Sequence, residues 1–446
     1  MSPSLEQLAH DLERGATTSR ALVEDCLARI DDCTGEGART FVSVAHSRAR
    51  ACADAMDNLR AQGAAPSRFA GIPVSIKDLF DIKGQITRAG SRVLDSAPPA
   101  ERDAAVVARL KQAGFVVIGR TNMTEFAFSG VGINPHYGTP KNVWDREIAR
   151  VPGGSSSGAA IALTDGMAHG SLGTDTGGSC RIPAAFNGLV GYKPTASRVP
   201  QAGAFPLSTT LDSIGPLGRT VACCAAIDAI LAGDEEDASQ PLGLRGLRVA
   251  IPKTYVLGDM DVHVAGAFAQ ALSALSAAGA IVDEIAFPEI DAIPAANARG
   301  GFAAPESLAT HRHFIETRSA FYDKRVLVRI QRGHEQSAAD YIDLMRTRAN
   351  LIDRFVRRMR DYDVLAYPTV PIIPPPITAF DSDAEFGRLN MLILRNPAVI
   401  NMLDGCSISV PMSKLPDPPI GLMLSAPGGQ DRRLLAIAAS VESCIA

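Results

Sequence analysis

The residues best suited to chemistry in this 446-residue sequence are serines on two glycine-rich turns. Ser155, Ser156 and Ser157 follow a glycine pair in VPGGSSSG, and Ser179 follows another pair in DTGGS. Glycine lets the backbone take conformations that other residues avoid, and it brings peptide N–H groups close to a ligand. No histidine stands beside either turn. A serine nucleophile at these turns would therefore need a carboxylate or a neutral lysine as its base.

Lys77 is the candidate base, because it lies within an apolar run in IPVSIKDLFD. The pKa of lysine is about 10.4 in water, and burial without a counter-ion lowers it because the charged form loses its hydration. Asp78 follows directly and could keep the lysine charged. On an extended strand, however, neighbouring side chains point to opposite faces. The sequence thus favours a neutral amine at position 77.

The peptide N–H groups that precede Ser179 are candidates for an oxyanion hole. Those of Thr176, Gly177 and Gly178 would surround the oxygen of any carbonyl that Ser179 attacks. Two other interpretations of the turns are weaker. GSSSG formally matches the GxSxG nucleophile elbow, but VPGG before it is a poor strand and no histidine is marked as a partner. A phosphate loop would require GxxxxGK[ST], and neither turn supplies the lysine.

Composition and charge indicate a soluble globular protein. Hydrophobic residues make up 46% and charged residues 21% of the chain, and the formal net charge is −4. No dense run of lysine and arginine suggests a nucleic-acid partner. The N-terminus lacks the pattern of a signal peptide, and no apolar run approaches the ~18 residues of a membrane span. We therefore predict a cytoplasmic protein that binds neither nucleic acid nor membrane.

Cysteine and histidine spacing predicts neither disulfides nor a metal site. The eight cysteines form no CxxC pair, and the eight histidines are scattered. In a long chain without a signal peptide, such cysteines are expected to be reduced. The sequence therefore predicts that the protein binds no metal ion.

Alternating helices and strands predict an α/β fold. Residues 18–62 and the segments AAVVARLKQAG and HVAGAFAQALSALSAAGA have helical spacing of apolar residues. Short apolar runs between turn residues predict strands. The predicted strands are IPVSI, FVVIG, LRVAIP, AIVDEIAFP, DVLAYP, SISVP and IGLMLSAP. Without an internal repeat or long linker, we predict one compact domain.

Five ordered motifs resemble those of the amidase signature family. They are SIKD at Ser75 to Asp78, GRTNMTEFA at Gly119 to Ala127, PGGSSSG at Pro152 to Gly158, GTDTGGSCRIPAAFNGLVGYKPT at Gly173 to Thr195, and DSIGPL at Asp212 to Leu217. The resemblance implies a single domain over residues 1–446, in which helices flank both faces of a central mixed β-sheet. It further implies N-terminal helices in 1–65, a core at about 71–221, and a C-terminal half, 222–446, that completes the sheet and substrate pocket.

The resemblance also implies a Ser–Ser–Lys triad. Ser179 matches the family's nucleophile, Lys77 its neutral base, and Ser155 the serine that relays a proton between them. The family's relay serine follows a cis peptide bond, which corresponds here to Gly154–Ser155. No cofactor is required by this chemistry.

Five further residues match supporting positions of the family. Ser156 matches a residue that makes a supporting hydrogen bond near the lysine. Asp175 and Arg181 match a structural pair that lies beneath the family's nucleophile loop. Ala127 and Phe128 occupy positions that line the acyl pocket. For all five, a purely structural role remains an alternative.

The family divides into free-standing amide hydrolases and the glutaminase subunit of the tRNA-dependent amidotransferase. That subunit carries an acid where this sequence has Leu394, an Asn-Leu-Ala-Gly stretch where it has Asn401-Met402-Leu403-Asp404-Gly405, and GGSSGG where it has GGSSSG. These departures favour a free-standing hydrolase. The glutaminase subunit, and a non-catalytic binding protein, stay as alternatives.

Apolar pocket candidates predict an uncharged substrate. These candidates are Phe126, Phe128, Ile133, Leu207 and Met391. We expect a small amide, anilide or carbamate, because amides and carbamates share a tetrahedral intermediate. The expected partner is this small molecule, with a homodimer left open.

Overall fold

Eleven strands form one mixed sheet in the computed structural model, which describes residues 3–234 and 241–445. Their order across the sheet is β1-β3-β2-β4-β6-β5-β10-β11-β9-β7-β8. The strands are β1 Phe41–Val44, β2 Pro73–Lys77, β3 Val116–Thr121, β4 Gly170–Asp175, β5 Val190–Lys193, β6 Ser213–Gly218, β7 Arg248–Pro252, β8 Ile281–Ile285, β9 Val364–Pro368, β10 Cys406–Pro411 and β11 Gly421–Ala426.

Sixteen α-helices lie in the described residues and connect or flank these strands. They are α1 Leu5–Glu13, α2 Ser19–Asp31, α3 Gly37–Thr40, α4 His46–Ala61, α5 Ala105–Gln112, α6 Ser157–Thr164, α7 Arg181–Phe186, α8 Val221–Ala232, α9 Val262–Ala277, α10 Pro288–Asp291, α11 Ile293–Ala296, α12 Ala303–Arg318, α13 Lys324–Gln331, α14 Ala338–Arg358, α15 Asp383–Met402 and α16 Asp431–Ile445.

Helices cover both faces of the sheet, as the neighbouring parallel strands β2 and β3 show. Val74 and Ile76 of β2 pack in one apolar cluster with residues of α1, α5 and α8. Val116 and Ile118 of β3 point the other way and pack in a second cluster with residues of α2, α4 and α6. A strand buried on both faces reads as a continuous apolar run, as IPVSI and FVVIG do. The predicted α/β class with a central mixed sheet is confirmed.

All seven strands predicted from apolar runs are present, but four strands were not predicted. β1 lies between α3 and α4, so the prediction of helices alone in the first 65 residues was wrong at this point. β1 has only four residues and is held at the sheet edge by antiparallel pairing with β3. β4, β5 and β6 contain glycine, serine, threonine or proline, which weaken the apolar pattern of a strand.

The two halves of the chain share the sheet. β5 pairs with β10, with Tyr192 opposite Ile408. Strands β7 to β11 therefore extend the sheet that residues of the first half begin. The predicted single domain also includes residues 1–2, 235–240 and 446, which lie outside the described residues.

The described residues contain neither a membrane-spanning helix nor a metal-binding cluster. Each helix in this part of the chain is too short or too polar to span a bilayer. The same residues contain no group of three or more His, Cys, Asp or Glu side chains arranged to hold a metal ion.

Candidate active site

Lys77 is the last residue of β2, and its side chain is fully buried. Its Nζ lies 2.8 Å from Ser155 Oγ and 2.8 Å from Thr174 Oγ1. Asp78 points away and pairs instead with Arg120, whose Nε lies 2.7 Å from Asp78 Oδ1. The alternation of side chains along the strand thus separates the lysine from the adjacent carboxylate.

Burial lowers the pKa of Lys77 to about 8, although Cys180, Asp175 and Asp212 act in the opposite direction. At pH 7 an amine with this pKa is neutral in about a tenth of molecules, compared with well under a thousandth for an exposed lysine. A neutral amine carries a lone pair and can accept a proton from a hydroxyl. The lysine is thus able to act as a base toward Ser155.

Ser155 is held by a turn in which glycine is needed for space. A Cβ on Gly154 would lie 2.6 Å from the backbone nitrogen of Gly132, so no side chain can be accommodated there. The Gly154 N–H donates to the carbonyl of Gly130 at 2.8 Å, and the carbonyl of Ser155 accepts from the Thr124 N–H at 3.1 Å. The Gly154–Ser155 peptide bond is cis, as the resemblance implied.

The second turn contacts the first through the backbone. The Ser156 N–H donates to the carbonyl of Ser179 at 3.4 Å. Ser179 is 3% exposed, and Gly178 before it has a φ of 121°, a value that favours glycine. The structure therefore places Lys77, Ser155 and the Ser179 turn in one region.

A buried carboxylate, that of Asp175, organises the Ser179 turn. Asp175 accepts hydrogen bonds from the N–H groups of Gly178 at 2.8 Å and Cys180 at 3.1 Å. It also forms a fully buried ion pair with Arg181, with Nη2 and Oδ1 separated by 2.8 Å. Burial alone would raise the pKa of Asp175, but the charge of Arg181 and hydrogen bonds from Arg181 and Asn401 hold it well below its usual range. This carboxylate stays ionised and fixes the turn.

The hydrogen bond from the Gly178 N–H to Asp175 affects the predicted oxyanion hole. Because the Gly178 N–H already donates to Asp175, a substrate oxygen would have to share it. The N–H groups of Thr176 and Gly177 remain predicted donors. Ser156, predicted to support the lysine, has its Oγ 3.5 Å from the carbonyl of Thr174, the residue whose hydroxyl contacts Lys77.

A small cavity of about 20 Å³ lies beside the second turn. Thr174 and Thr176 form its polar wall near Lys77, and Asp212 lines it as well. Its apolar wall includes Ala127, Phe205 and Leu207. Phe205 in turn packs on Phe126, with ring centroids 5.3 Å apart.

The predicted apolar pocket residues separate into four groups in the structure. Ala127 and Leu207 line this cavity, whereas Phe126 stands behind Phe205 and is 2% exposed. Phe128 packs at the margin of the apolar cluster that contains Ala127 and Leu207, and Ile133 at the margin of a different one. Met391 is 68% exposed, so its predicted place in an enclosed pocket was wrong: α15 turns this side chain outward. Contact of Ala127 and Phe128 with substrate stays a prediction.

Several polar residues near the site were not singled out from the sequence. Thr174 contacts Lys77, and Asn401 bridges Arg181 and Asp175. Asp212 accepts a hydrogen bond from the Thr176 hydroxyl at 2.5 Å and from the N–H groups of Leu207 and Ser208. Asp212 and Asn401 both lie in segments that resemble or depart from the family's motifs. Each is a polar residue among apolar ones, and this contrast was the signal in the sequence that could have identified it.

Asp212 gives a prediction for the acidic side of the pH profile. Burial raises its pKa to about 6, against hydrogen bonds from Thr176, Ser208 and Leu207. Below pH 6 the carboxyl becomes protonated and loses part of its hold on Thr176, so we expect kcat/KM to fall there. In Thr176→Val, which lacks the hydroxyl, this limb should disappear and kcat/KM above pH 7 should drop about tenfold. An acidic limb that is the same in both proteins would assign it to another group.

Comparisons with known proteins agree with this geometry. The family model described as Amidase matches residues 21–435. A 2-amino-5-chloromuconic acid deaminase from Comamonas testosteroni is 35% identical, over 99% of this chain and 96% of that protein. A glutamyl-tRNA(Gln) amidotransferase subunit from Chromohalobacter salexigens is also 35% identical, over 98% of this chain and 95% of that protein.

Solved structures give the same result. A crystal structure described as an amidase superposes with a TM-score of 0.90 at 30% identity and covers 100% of both chains. A peptide amidase from Stenotrophomonas maltophilia superposes with a TM-score of 0.82 at 25% identity, over 100% of this chain and 97% of that one. Members of this family are amidohydrolases that act on C–N bonds. The protein belongs to the amidase signature family.

Proposed function

We propose that the protein hydrolyses the C–N bond of a small, uncharged amide, anilide or carbamate through an acyl-enzyme on Ser179. The observation that carries this proposal is the 2.8 Å contact between Ser155 Oγ and the Nζ of a lysine that is fully buried and has no carboxylate bound to it among the described residues. Such a lysine can take a proton at neutral pH. A lysine kept charged by an ion pair could not.

The proposed reaction proceeds in two stages. As Ser179 Oγ attacks the carbonyl carbon, its proton passes to Ser155 and the proton of Ser155 passes to Lys77. The tetrahedral oxyanion is stabilised by turn N–H groups, and its collapse breaks the C–N bond while the proton returns through Ser155 to the leaving amine. Water then attacks the acyl-enzyme by the same proton route, and the acid leaves.

The walls near the turns support an uncharged substrate. Ala127, Phe205 and Leu207 give the cavity an apolar side. Leu394, which stands where the amidotransferase subunit carries an acid, lies against the nucleophile turn: a Cβ on Gly177 would be 3.6 Å from its Cδ2. An apolar group near the reacting carbonyl is favoured by such surroundings.

An amide that also bears a carboxylate is a second candidate substrate. Arg329 Nη1 donates to the carbonyl of Phe128 at 2.7 Å, and burial lowers the pKa of its guanidinium to about 10. No carboxylate among the described residues forms an ion pair with it. The deaminase relative is named for an acid. Arg329→Met should then weaken turnover of carboxylated amides about tenfold or more and spare neutral ones.

A substrate panel decides among these classes. The purified chain, alone, is incubated with an anilide, an alkyl carbamate, a neutral aliphatic amide, a dicarboxylic monoamide and glutamine. We expect turnover of at least one neutral compound at a kcat/KM ten or more times that for glutamine or the monoamide. Turnover of the dicarboxylic monoamide alone would refute the uncharged class, and turnover of glutamine alone would favour the glutaminase component of an amidotransferase. Light scattering of the same sample would test the homodimer.

A further inference from the structure

The carboxylate of Glu306, on α12, accepts hydrogen bonds from three residues. Its Oε2 accepts from Ser208 Oγ at 2.5 Å and from the Thr210 N–H at 3.1 Å. Its Oε1 accepts from the hydroxyl of Thr210 and from that of Tyr341, on α14, at 2.6 Å in the latter case. One carboxylate of the C-terminal half thus ties two helices to the segment that contains Ser208 and Thr210.

This segment lies between two residues that line the cavity, Leu207 and Asp212. It forms a turn, because the Asp212 N–H donates to the carbonyl of Ser208 at 2.8 Å. Asp212 Oδ2 accepts from the N–H groups of Leu207 at 3.0 Å and Ser208 at 3.1 Å. Its Oδ1 accepts from the hydroxyl of Thr176, in the turn that leads to Ser179. Hydrogen bonds therefore connect α12 to the Ser179 turn through Asp212.

The middle of this connection is shielded from water. Ser208 is fully buried, Thr176 is 6% exposed and Asp212 is 9% exposed. Hydrogen bonds in such surroundings are strong, and a buried donor that loses its acceptor is costly. Removal of the Glu306 carboxylate would take the acceptor from the Ser208 hydroxyl. The turn that places Asp212 would then be less firmly held.

We propose that Glu306 is a positioning residue for the reaction at Ser179: it fixes the turn that carries Asp212, and Asp212 in turn holds Thr176. Glu306 is not among the residues that line the cavity, so it acts through this turn and not by touching the substrate. The role rests on the proposed function, because it assigns Glu306 a part in that reaction.

Glu306 also acts on Asp212 through its charge. Burial raises the pKa of Asp212 to about 6, and the negative charge of Glu306 contributes in the same direction. Charge interactions further link Asp212 to Lys77 on β2, and Glu306 to Arg348 on α14. Glu306→Gln removes one negative charge and leaves both of these positive groups in place. The pKa of Asp212 should therefore fall in this variant.

Methyl NMR on the full-length protein measures this effect without any substrate. The Thr176 methyl signal, assigned by its loss in Thr176→Val, should titrate with a midpoint near pH 6 in the wild type. In Glu306→Gln the midpoint should lie lower by about 0.3 pH unit or more. Glu316→Gln, on the exposed surface of the same helix, is the matched control and should leave the midpoint unchanged. Equal midpoints in Glu306→Gln and the wild type would overturn the proposal.

Kinetics with the best substrate of the panel test the hydrogen-bonded route. Glu306→Ala should lower kcat/KM above pH 7 about tenfold, whereas Glu306→Gln, whose amide oxygen can still accept from Ser208, should stay within about threefold of the wild type. In the Thr176→Val background the route to the Ser179 turn is already cut. Glu306→Ala should therefore cause no more than about a twofold further loss there.

Two kinetic results would contradict this role of Glu306. One is a full, additive loss in the Thr176→Val background, and the other is a wild-type kcat/KM in a folded Glu306→Ala protein. If Glu306→Ala does not fold, the titration of Glu306→Gln decides. That titration also stands if no compound of the panel is hydrolysed, a result that would refute the proposed function separately.

Discussion

Ser179→Ala should reduce hydrolysis of the best substrate by at least about 10³-fold, because it removes the oxygen that we propose as the nucleophile. The backbone N–H groups and the Asp175–Arg181 pair remain in this variant, so substrate binding and thermal unfolding should change little. The measurements are kcat from steady-state kinetics and the melting temperature from circular dichroism. Binding of an unreactive substrate analogue shows whether the site is still formed.

Ser157→Ala is the matched control within the first serine turn. Its Oγ is buried and has no hydrogen-bond partner among the described residues, so loss of this hydroxyl should leave kcat within about twofold. If Ser179→Ala kept more than a tenth of the wild-type rate, Ser179 would not be the nucleophile. The histidine-dependent alternative at GSSSG would then be tested by Ser156→Ala.

Lys77→Met should lower kcat by about 10³-fold, since a methionine side chain cannot take a proton from Ser155. The same change should raise stability at pH 7. Keeping a charged lysine in this buried position costs about 3 kcal/mol, given a pKa lowered to about 8. The hydroxyl groups of Ser155 and Thr174 lose a hydrogen-bond partner in the variant, which reduces the gain in stability by about 1–2 kcal/mol. Opposite signs for activity and stability are the expected result.

The stability gain of Lys77→Met should depend on pH. The pKa of Lys77 is lower in the folded than in the unfolded protein, so the unfolded state binds more protons between about pH 8 and 10.5. Wild-type stability therefore rises with pH in this window, and the advantage of the variant shrinks. Denaturant unfolding of both proteins at pH 7 and 10 measures the difference. A loss of stability in Lys77→Met that is constant with pH would mean that the amine is not desolvated.

Lys193 supplies a control for burial itself. It is almost as buried as Lys77 and burial lowers its pKa to about 8 as well, but its Nζ donates to the carbonyls of Gly405 and Pro194 and to neither serine. If Lys77 is the base, the rate rises with pH around its pKa of about 8 and forms an alkaline limb. Lys193→Met should leave this limb in place. Loss of that limb in this variant would transfer the role of base away from Lys77.

Sequence predicted the seven strands that contain apolar runs. Most of these are buried, which leaves a direct mark on composition, whereas the edge strand β8 is largely exposed. The strands that carry the chemistry were harder to predict. β4 consists of GSLGTD, which has no apolar run although it is buried throughout; its Thr174 contacts Lys77 and its Asp175 holds the turn that follows. β1 is recognisable only through its pairing with β3, which is a contact distant in sequence.

In the candidate site, too, residues that belong to local motifs could be predicted from the sequence, whereas residues that act through distant contacts could not. Lys77, Ser155 and Ser179 lie in motifs whose residue types indicate their chemistry. In the structure, Lys77 Nζ lies 2.8 Å from Ser155 Oγ. Thr174, Asn401 and Asp212 matter through partners tens to hundreds of residues away, which spacing along the chain does not encode. The competition of Asp175 for the Gly178 N–H is likewise visible only in three dimensions.

The most direct test is the pKa of Lys77 itself. The chain has eight lysines, so ¹³Cε-lysine labelling gives a small set of NMR signals, and loss of one signal in Lys77→Arg assigns it. Lys193→Arg assigns the second buried lysine. We predict that the Lys77 signal titrates near pH 8 and that the acylation rate of the wild type rises with the same midpoint. A midpoint above pH 10, with acylation rising near pH 8 regardless, would contradict a neutral lysine as the base.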